Sequence, residues 1–440
     1  MRKALLLILF SLGSLALFLI LQGFFPKFQS ILSFLFVLLL LGLYLWASIR
    51  RSLTSSRPLF RYSLAVIYWL PLLTLTLLVI IGSFYPFLKW NIYIRTQLLS
   101  FITITFFSQT IPVFFLILAD AERLSWGFAR WFAGKRPFFA NPRRRGLLVT
   151  GWIAGALVWI LLVLGTVLWV FDFKVKRVEV AVAGVPDSFK NFRIVQISDI
   201  HLGSWTSKPD LERAITMVNS LNPDVIFFTG DMFNYATVDG SEFQPILQKL
   251  HAKFGIYSIL GNHDYGDYVT WPNEDARKDN MVQLVEWYRK LGWILLRNES
   301  ATIRKGNDSI AVIGVENWGA EKRYQKRANM RKALLGITGV PCKILLSHDP
   351  TYWASIVSKE HKEICLTLSG HTHGGQVGID TKTFHWSPIA WLQEYWGGLY
   401  IKKAPADMSP QYLYVNCGLG TIGYSGRIGI KPEITLLILK

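Results

Sequence analysis

The chain has 440 residues, of which 51% are hydrophobic and only 17% charged, against about 25% charged in a soluble globular protein. That composition excludes a disordered or collagen-like chain, and the length exceeds the usual size of one domain. The formal charge of +18 is unevenly spread: residues 1–171 hold 16 Lys and Arg against two acids, Asp120 and Glu122, while residues 172–440 hold 31 against 27. All eight His follow residue 200. The basic excess therefore belongs to the apolar part, and no nucleic-acid partner is expected from it.

Five stretches, 4–21, 31–47, 64–85, 98–119 and 147–171, carry no charged side chain. Helices of that length, rising about 1.5 Å per residue, cross a hydrocarbon core of about 30 Å, so five transmembrane helices are predicted. The alternative is a set of buried core helices, but those usually keep a polar stripe. Arg2 and Lys3 ahead of the first stretch also suit a secretory signal peptide, yet no small-x-small cleavage site follows, and an uncleaved span is expected. Lys and Arg near spans stay on the cytoplasmic side. The sequence puts 13 of them there, including Arg50, Arg51, Arg57, Arg61 and the run from Arg123 to Arg145, against Lys27, Lys89 and Arg95 on the other side. An odd number of spans then sends everything after Phe171 to the extracytoplasmic face of a plasma (inner) membrane. No span carries an ionisable residue of the kind ion and proton paths need. The bundle reads as an anchor in the lipid bilayer, with lateral access for a lipid.

After Lys174 the pattern changes to short apolar runs, strand-like at 193–198, 224–229, 255–260, 343–347 and 364–369, with helical spacing at 209–221 and 243–250. A hairpin is predicted from 301–305 and 310–314. Strand and helix in alternation predict an α/β layered domain. Each run ends in polar residues: Asp199-Ile200-His201, then Gly230-Asp231, then Gly261-Asn262-His263-Asp264, then Ser347-His348-Asp349, then Ser369-Gly370-His371-Thr372-His373. Carboxyl ends of strands line one crevice, so these side chains are expected to converge. One such motif is weak; five in series deliver seven oxygen and nitrogen ligands plus a spare His. His251, His361 and His385 fall outside the pattern and are read as ordinary surface or partly buried residues.

At these residues the chain resembles the calcineurin-like metallophosphoesterase superfamily. It is most similar to the membrane-associated bacterial branch with Ser-Gly-His-Thr-His-Gly-Gly-Gln, here 369–376. The resemblance runs from Phe192 to the end of the sequence and includes Asn416-Cys417-Gly418-Leu419-Gly420. It implies a β-sandwich flanked by helices, which together with the five spans gives a membrane region over 1–171 and a catalytic domain over 172–440. It also implies two divalent ions at one edge of the sandwich. Asp199, His201 and His373 would hold one and Asn262, His348 and His371 the other, with Asp231 bridging. A donor set without thiolate suits Mn first, or Fe, Zn or Co. In such pairs, about 3.5–4 Å apart, a bridging water becomes the nucleophile. His263 would be the catalytic residue that stabilises the phosphoryl group or protonates the leaving oxygen. Many relatives place an Asp three residues after the bridging Asp, to support that His. Here Asn234 stands there, which predicts a less basic His263 unless Asp264 compensates.

The segment 384–400 holds Trp386, Trp391, Tyr395, Trp396 and Tyr400. Two readings stand: aromatics at the headgroup level of a bilayer, or a packed helix covering the sheet. Arg277-Lys278 and the basic run 322–332 read as a solvated helix face or as an attractor of anionic groups. Tyr265 and Asp267 are expected to border the crevice. Three cysteines without metal spacing read as small buried residues, with no disulfide required.

Three functions compete. The first is an outward-facing, membrane-tethered hydrolase of a phosphorylated lipid or lipid-linked substrate. The second is a cytoplasm-facing pyrophosphohydrolase of a nucleotide-activated acyl sugar. The third is a non-enzymatic scaffold, whose sign would be a missing ligand, and none is missing.

Overall fold

A computed structural model describes residues 29–53, 56–134, 142–182, 184–319, 325–403 and 409–440. Contacts divide the chain into two compact units. One runs up to Phe87 and resumes over Leu98–Leu161; the other joins Leu88–Gln97 to Leu162–Lys440.

Four helices in the described residues are long and apolar enough to cross a membrane: Leu32–Arg50, Pro58–Phe84, Ile92–Phe132 and Arg145–Trp169. The predicted span 4–21 lies outside the described residues. Of the 27 residues in Pro58–Phe84, only Pro71 is buried, which is the opposite of a core helix. Leu59, Val66, Ile67 and Phe84 are exposed, an arrangement that suits lipid as the solvent. Hydroxyls within the helices turn back onto their own backbone, Thr74 to Leu70 O and Thr76 to Leu72 O, both at 2.8 Å. This satisfies them where water is absent. Gly151 and Gly155, one turn apart, bring two helices close. A methyl on Gly151 would lie 2.7 Å from Phe115 Cβ, and one on Gly155 2.9 Å from Pro112 Cδ. That is the small-xxx-small packing of membrane helices. Near the charged end, Arg143 grips Asp120 with Nε and Nη2, both at 2.6 Å, and Tyr44 donates to the same carboxylate at 2.6 Å.

The second unit contains two six-stranded sheets. The first has the order β1 (Lys174–Val180), β14 (Glu433–Leu439), β2 (Arg193–Ile197), β3 (Val225–Phe228), β4 (Ile256–Ser258) and β5 (Ile294–Leu295). The second runs β12 (Gly398–Lys402), β13 (Gln411–Val415), β9 (Ile364–Ser369), β8 (Cys342–Leu346), β7 (Asp308–Gly314) and β6 (Glu299–Lys305). Strands β2 to β5 are parallel, as are β7, β8, β9 and β13. The strands that carry motifs therefore point the same way within each sheet. Alternation puts Ile194, Val225 and Phe227 of the first sheet and Val312, Ile344, Leu346 and Leu368 of the second into one shared core. The opposite face of the first sheet, Val195, Ile197, Ile226 and Phe228, packs on Leu211, Ile215 and Val218 of the Lys208–Ser220 helix and on Leu284 and Tyr288 of Glu274–Leu291. Ala311, Ile313, Leu345 and Leu413 of the second sheet pack on Met330, Trp353 and Val357. The result is a β-sandwich flanked by helices. Gln196 of β2 donates to Ser369 O at the end of β9 at 2.8 Å and so ties the two sheets at one edge.

The predicted strands and hairpin recur with small changes of boundary. The helix expected over 243–250 shortens to Gln244–Leu247. Segment 384–400 is not a helix but β11 (His385–Trp386), which pairs with β10 (Ile379–Asp380), then a single 3-10 turn, Pro388–Trp391, and the start of β12. The thiols of Cys342 and Cys365, on adjacent strands β8 and β9, face each other at 3.1 Å without a bond.

Replacing Gly155 by Leu should lower the stability of the purified protein in bilayers by about 1–3 kcal/mol, the cost of overpacking. Gly146→Leu is the control, since a methyl there meets nothing within 4 Å. Unfolding titrations of the two variants check this.

Candidate metal centre

Each motif sits where its strand stops. Asp199 and His201 follow β2, Asp231 follows β3, Asn262 and His263 follow β4, His348 follows β8, and His371 and His373 follow β9. To bring side chains back over the sheet edge the backbone must turn sharply. Asp199 (φ 48), His201 (φ 49), Asp231 (φ 60), His371 (φ 74) and His373 (φ 52) all take left-handed conformations. Each costs about 1–2 kcal/mol relative to an ordinary conformation, and such strain collects at functional sites. Gly370 leaves space at the same edge, because a methyl there would fall 1.9 Å from Ser198 Oγ and 2.3 Å from Asp199 Oδ2.

The ligand atoms of Asp199, His201 and His373 lie within 4.8 Å of one another, as do those of Asp231, His348 and His371. His201 Nε2 is 3.0 Å from His373 Nε2, which is 3.4 Å from Asp199 Oδ1. His348 Nε2 is 3.1 Å from Asn262 Oδ1. Asp231 Oδ2 stands between the groups, 3.5 Å from His201 Nε2 and 3.2 Å from His348 Nε2. All of these are buried except His371, which is half-buried.

The donor chemistry fits cations. His201 Nδ1 faces Phe233 O at 3.2 Å and His348 Nδ1 faces Thr229 O at 2.7 Å. A carbonyl only accepts, so both Nδ1 atoms carry a hydrogen and both Nε2 atoms turn inward. Burial drives His201 down to about 3, holds His373 well below the usual imidazole value and lowers His371. All three thus offer neutral lone pairs. Burial also opposes a charge on His348, but the Asp231 carboxylate beside it, Asp199 and the Thr229 carbonyl together raise it to about 10. Asp231 is held well below the carboxylate range; burial works against its charge, and His348 and His263 work for it. Buried carboxylates and inward lone pairs crowded into one space form the arrangement that a pair of divalent ions relieves.

His263 is half-buried beside this cluster, edge-on to His201 with ring centroids 4.9 Å apart. Its Nδ1 lies 2.8 Å from the main-chain carbonyl of Asn234. The Asn234 side chain, at the position where many relatives carry the supporting Asp, makes no such contact: Asn234 Oδ1 is buried with no hydrogen-bond partner among the described residues. Asp264 does not compensate at the ring either. Its Oδ2 accepts from the N–H groups of Gly261 and Asp231, and its Oδ1 from those of Met232 and Phe233. A backbone carbonyl serves whatever side chain follows it, so a motif comparison cannot see this contact.

Three further residues escaped the sequence. Tyr268 stacks on His263 with centroids 4.0 Å apart and accepts from the Asn262 amide at 2.7 Å, which leaves the Asn262 carbonyl facing His348. Arg427 is fully buried, and its Nη2 donates to the carbonyls of Cys417, Gly418 and Gly420. Burial lowers its guanidinium to about 10. The loop it clamps bonds in turn to the backbone of Ser198 and Asp199, from Leu419 N and Gly420 N. Arg95, more than a hundred residues before the first motif, reaches Asp239 behind the second. Tyr265, expected at the crevice, is instead buried in packing, with Asn317 N donating to its hydroxyl. His251, His361 and His385 bond to Lys249 O, Glu363 and Asp380. Of the basic runs, Arg277 pairs with Glu274 and Asp267, while 320–324 lie outside the described residues.

Mn²⁺ at 100 times its dissociation constant should stabilise the native protein by about 2.7 kcal/mol, read as a rise in the thermal midpoint that a chelator reverses. Asp231→Asn should remove that rise and weaken Mn²⁺ binding more than about 100-fold, beyond the loss typical of outer-shell partners. Asp264→Asn should cost about 1–3 kcal/mol through its stranded N–H donors.

Residues 192–375 match the family model of the calcineurin-like phosphoesterases. Three relatives extend the match. The "Transmembrane protein with metallophosphoesterase domain" of Danio rerio is 32% identical over 275 residues, 61% of this chain and 57% of that protein. Metallophosphoesterase YkuE of Bacillus subtilis is 31% identical over 58% of this chain and 82% of its own length. The UDP-2,3-diacylglucosamine pyrophosphatase LpxG of Chlamydia trachomatis is 30% identical over 56% of this chain and 82% of its own. The chain thus spans a little over half the length of the zebrafish protein and most of the two bacterial ones. It belongs to the calcineurin-like phosphoesterase family of metal-dependent phosphoric ester hydrolases.

Proposed function

We propose that the protein is a membrane-anchored, two-metal phosphoesterase that cleaves a phosphoester or pyrophosphate bond of a lipid or lipid-linked substrate. In this reading residues 1–171 are the membrane region and 172–440 the catalytic domain, on the extracytoplasmic side of a plasma membrane. Asp199, His201 and His373 would hold one ion and Asn262, His348 and His371 the other, with Asp231 shared between them. Bound there, a divalent pair such as Mn²⁺ supplies Lewis acidity toward phosphoryl oxygens and an acidified water. The chain supplies the rest. Asn234 O fixes His263 by Nδ1, which leaves Nε2 to meet the phosphoryl group or hand a proton to the departing oxygen. Tyr268 packs on the ring and restricts its rotation.

The observation that carries the lipid reading is the surface beside the His371-Thr372-His373 loop. Thr372 donates to Trp396 O at 2.6 Å, and Gly375 abuts Ser387 and Ile389. From that base Phe384, Trp391 and Leu392 project with 54%, 78% and 83% of their surface exposed. Trp396 is buried, while Tyr395 and Tyr400 are packed, so only the exposed part of the segment is open to a lipid. Exposed Trp and Leu next to a polar site suit an acyl chain or the headgroup layer.

The cation count across the connections supports the outward face. Leu88–Gln97, which follows the Pro58–Phe84 helix, groups with the catalytic unit, so that connection and the domain share whichever side it is. A second reading, hydrolysis of the pyrophosphate of an acylated nucleotide sugar on the cytoplasmic face, is favoured by the 30% identity to LpxG.

Purified protein with Mn²⁺, incubated with a total bacterial membrane extract beside Asp231→Asn, should remove a phosphoryl or headgroup from a lipid, seen by mass spectrometry. A nucleotide product would select the second reading, and no change in any lipid would refute the lipid assignment. Trp391→Ser with Leu392→Ser should raise KM for a lipid in vesicles and leave turnover of a soluble diester unchanged.

A further inference from the structure

We infer that Arg95, in the first turn of the apolar helix Ile92–Phe132, is a positioning residue for His263. The connection between two membrane helices is then part of the catalytic machinery. This rests on the assignment of His263 made above.

An Arg in a helix's first turn is out of place. The helix dipole disfavours a cation there, and burying one is costly unless it is paired. Arg95 is nevertheless only 1% exposed, and so is its partner Asp239, at 2.5 Å. The other oxygen of Asp239 accepts from Tyr235 N at 3.0 Å, and the Arg95 guanidinium lies over the Tyr235 ring, 5.1 Å from its centroid. The adjacent Thr96 donates to Gly203 O at 3.3 Å. Gly203 lies two residues past His201, and Tyr235 directly follows Asn234. One helical turn therefore touches the chain just behind two metal-binding motifs. The fit is close: a methyl on Gly203 would lie 2.7 Å from Arg95 Nη2, 2.7 Å from Asp239 Oδ2 and 2.8 Å from Asn234 Oδ1. Main-chain bonds from His201 N to Asp231 O and from Leu202 N to Met232 O lock the two loops to each other. The Asn234 carbonyl, which holds His263 Nδ1, is thereby set by a peptide whose next residue is fixed from the Arg95 side.

Asp239, five residues past Asn234, is an acidic group that acts through the backbone, with Arg95 as its partner. Arg95 touches neither substrate nor metal ligand in this account; it sets the turn that aims the imidazole.

The test is a double-mutant cycle on the full-length protein in nanodiscs, with Mn²⁺ and bis(p-nitrophenyl) phosphate as the probe. Arg95→Met should lower kcat about tenfold or more, as expected when a reacting group is misplaced, with KM changed less than about twofold and two Mn²⁺ still bound per chain. In a His263→Asn background the same substitution should change kcat less than about twofold. Arg95→Lys should recover part of the loss. Arg95→Met combined with Asp239→Asn leaves no buried charge unpaired, and should show the same dependence on His263 if the single variant does not accumulate. Equal losses from Arg95→Met in both backgrounds, or loss of bound Mn²⁺, would overturn the inference and leave the His263 assignment standing. An unaffected kcat in His263→Asn alone would overturn that assignment, and this inference with it.

Discussion

The carboxylate of Asp231 is the point at which the two sheets meet, and the site depends on it. One oxygen faces His201 from the first sheet and His348 from the second. The other accepts from His263 N, and the residue's own N–H is held by Asp264. Its left-handed φ of 60 turns the side chain inward from a strand end that would otherwise run on past the edge. Moving Asp231 would therefore disturb both candidate ion positions and the start of the segment that carries His263. Gln196, the Asp264 carboxylate and the Arg427 clamp all keep the loops around this one oxygen pair at fixed separation.

That arrangement is held under strain. Five candidate ligand residues in the left-handed region, buried carboxylates and inward-facing imidazoles all work against folding. The large apolar sandwich beneath supplies the opposing stability, since the inter-sheet core is built from fully buried Ile, Leu, Val and Phe on both faces. The rigid strands fix where each loop begins, and short tight turns leave the loops little freedom. Preorganisation of this kind lets a site hold charge where water is scarce.

The helices of the N-terminal half obey a different solvent. Their packing relies on Gly151 and Gly155 and on hydroxyls that bond to their own helix, while large apolar side chains face outward. Arg95 belongs by sequence to this half and by its contacts to the catalytic unit. The sequence counts it among the outward cations, but its charge is neutralised by Asp239 in a buried pair and is not offered to the membrane surface.

The sequence by itself determined the apolar helices, the strands that carry motifs and the residues that would hold metal, because each is a local pattern. An uncharged run of 20 residues, or a β-branched run ending in Asp or His, has its meaning within a few residues of chain. Tertiary structure alone decided what supports those residues. Asn234 serves His263 with its backbone, Tyr268 reaches two motif residues by stacking and one hydroxyl, Arg427 reads three carbonyls, and Arg95 arrives from 144 positions away in sequence. Hydrogen bonds to main-chain carbonyls place no demand on the identity of the residue that accepts them, and long-range ion pairs leave no periodic trace. The chemistry of the site was legible in the chain; the contacts that hold it in place arise only when distant segments pack together.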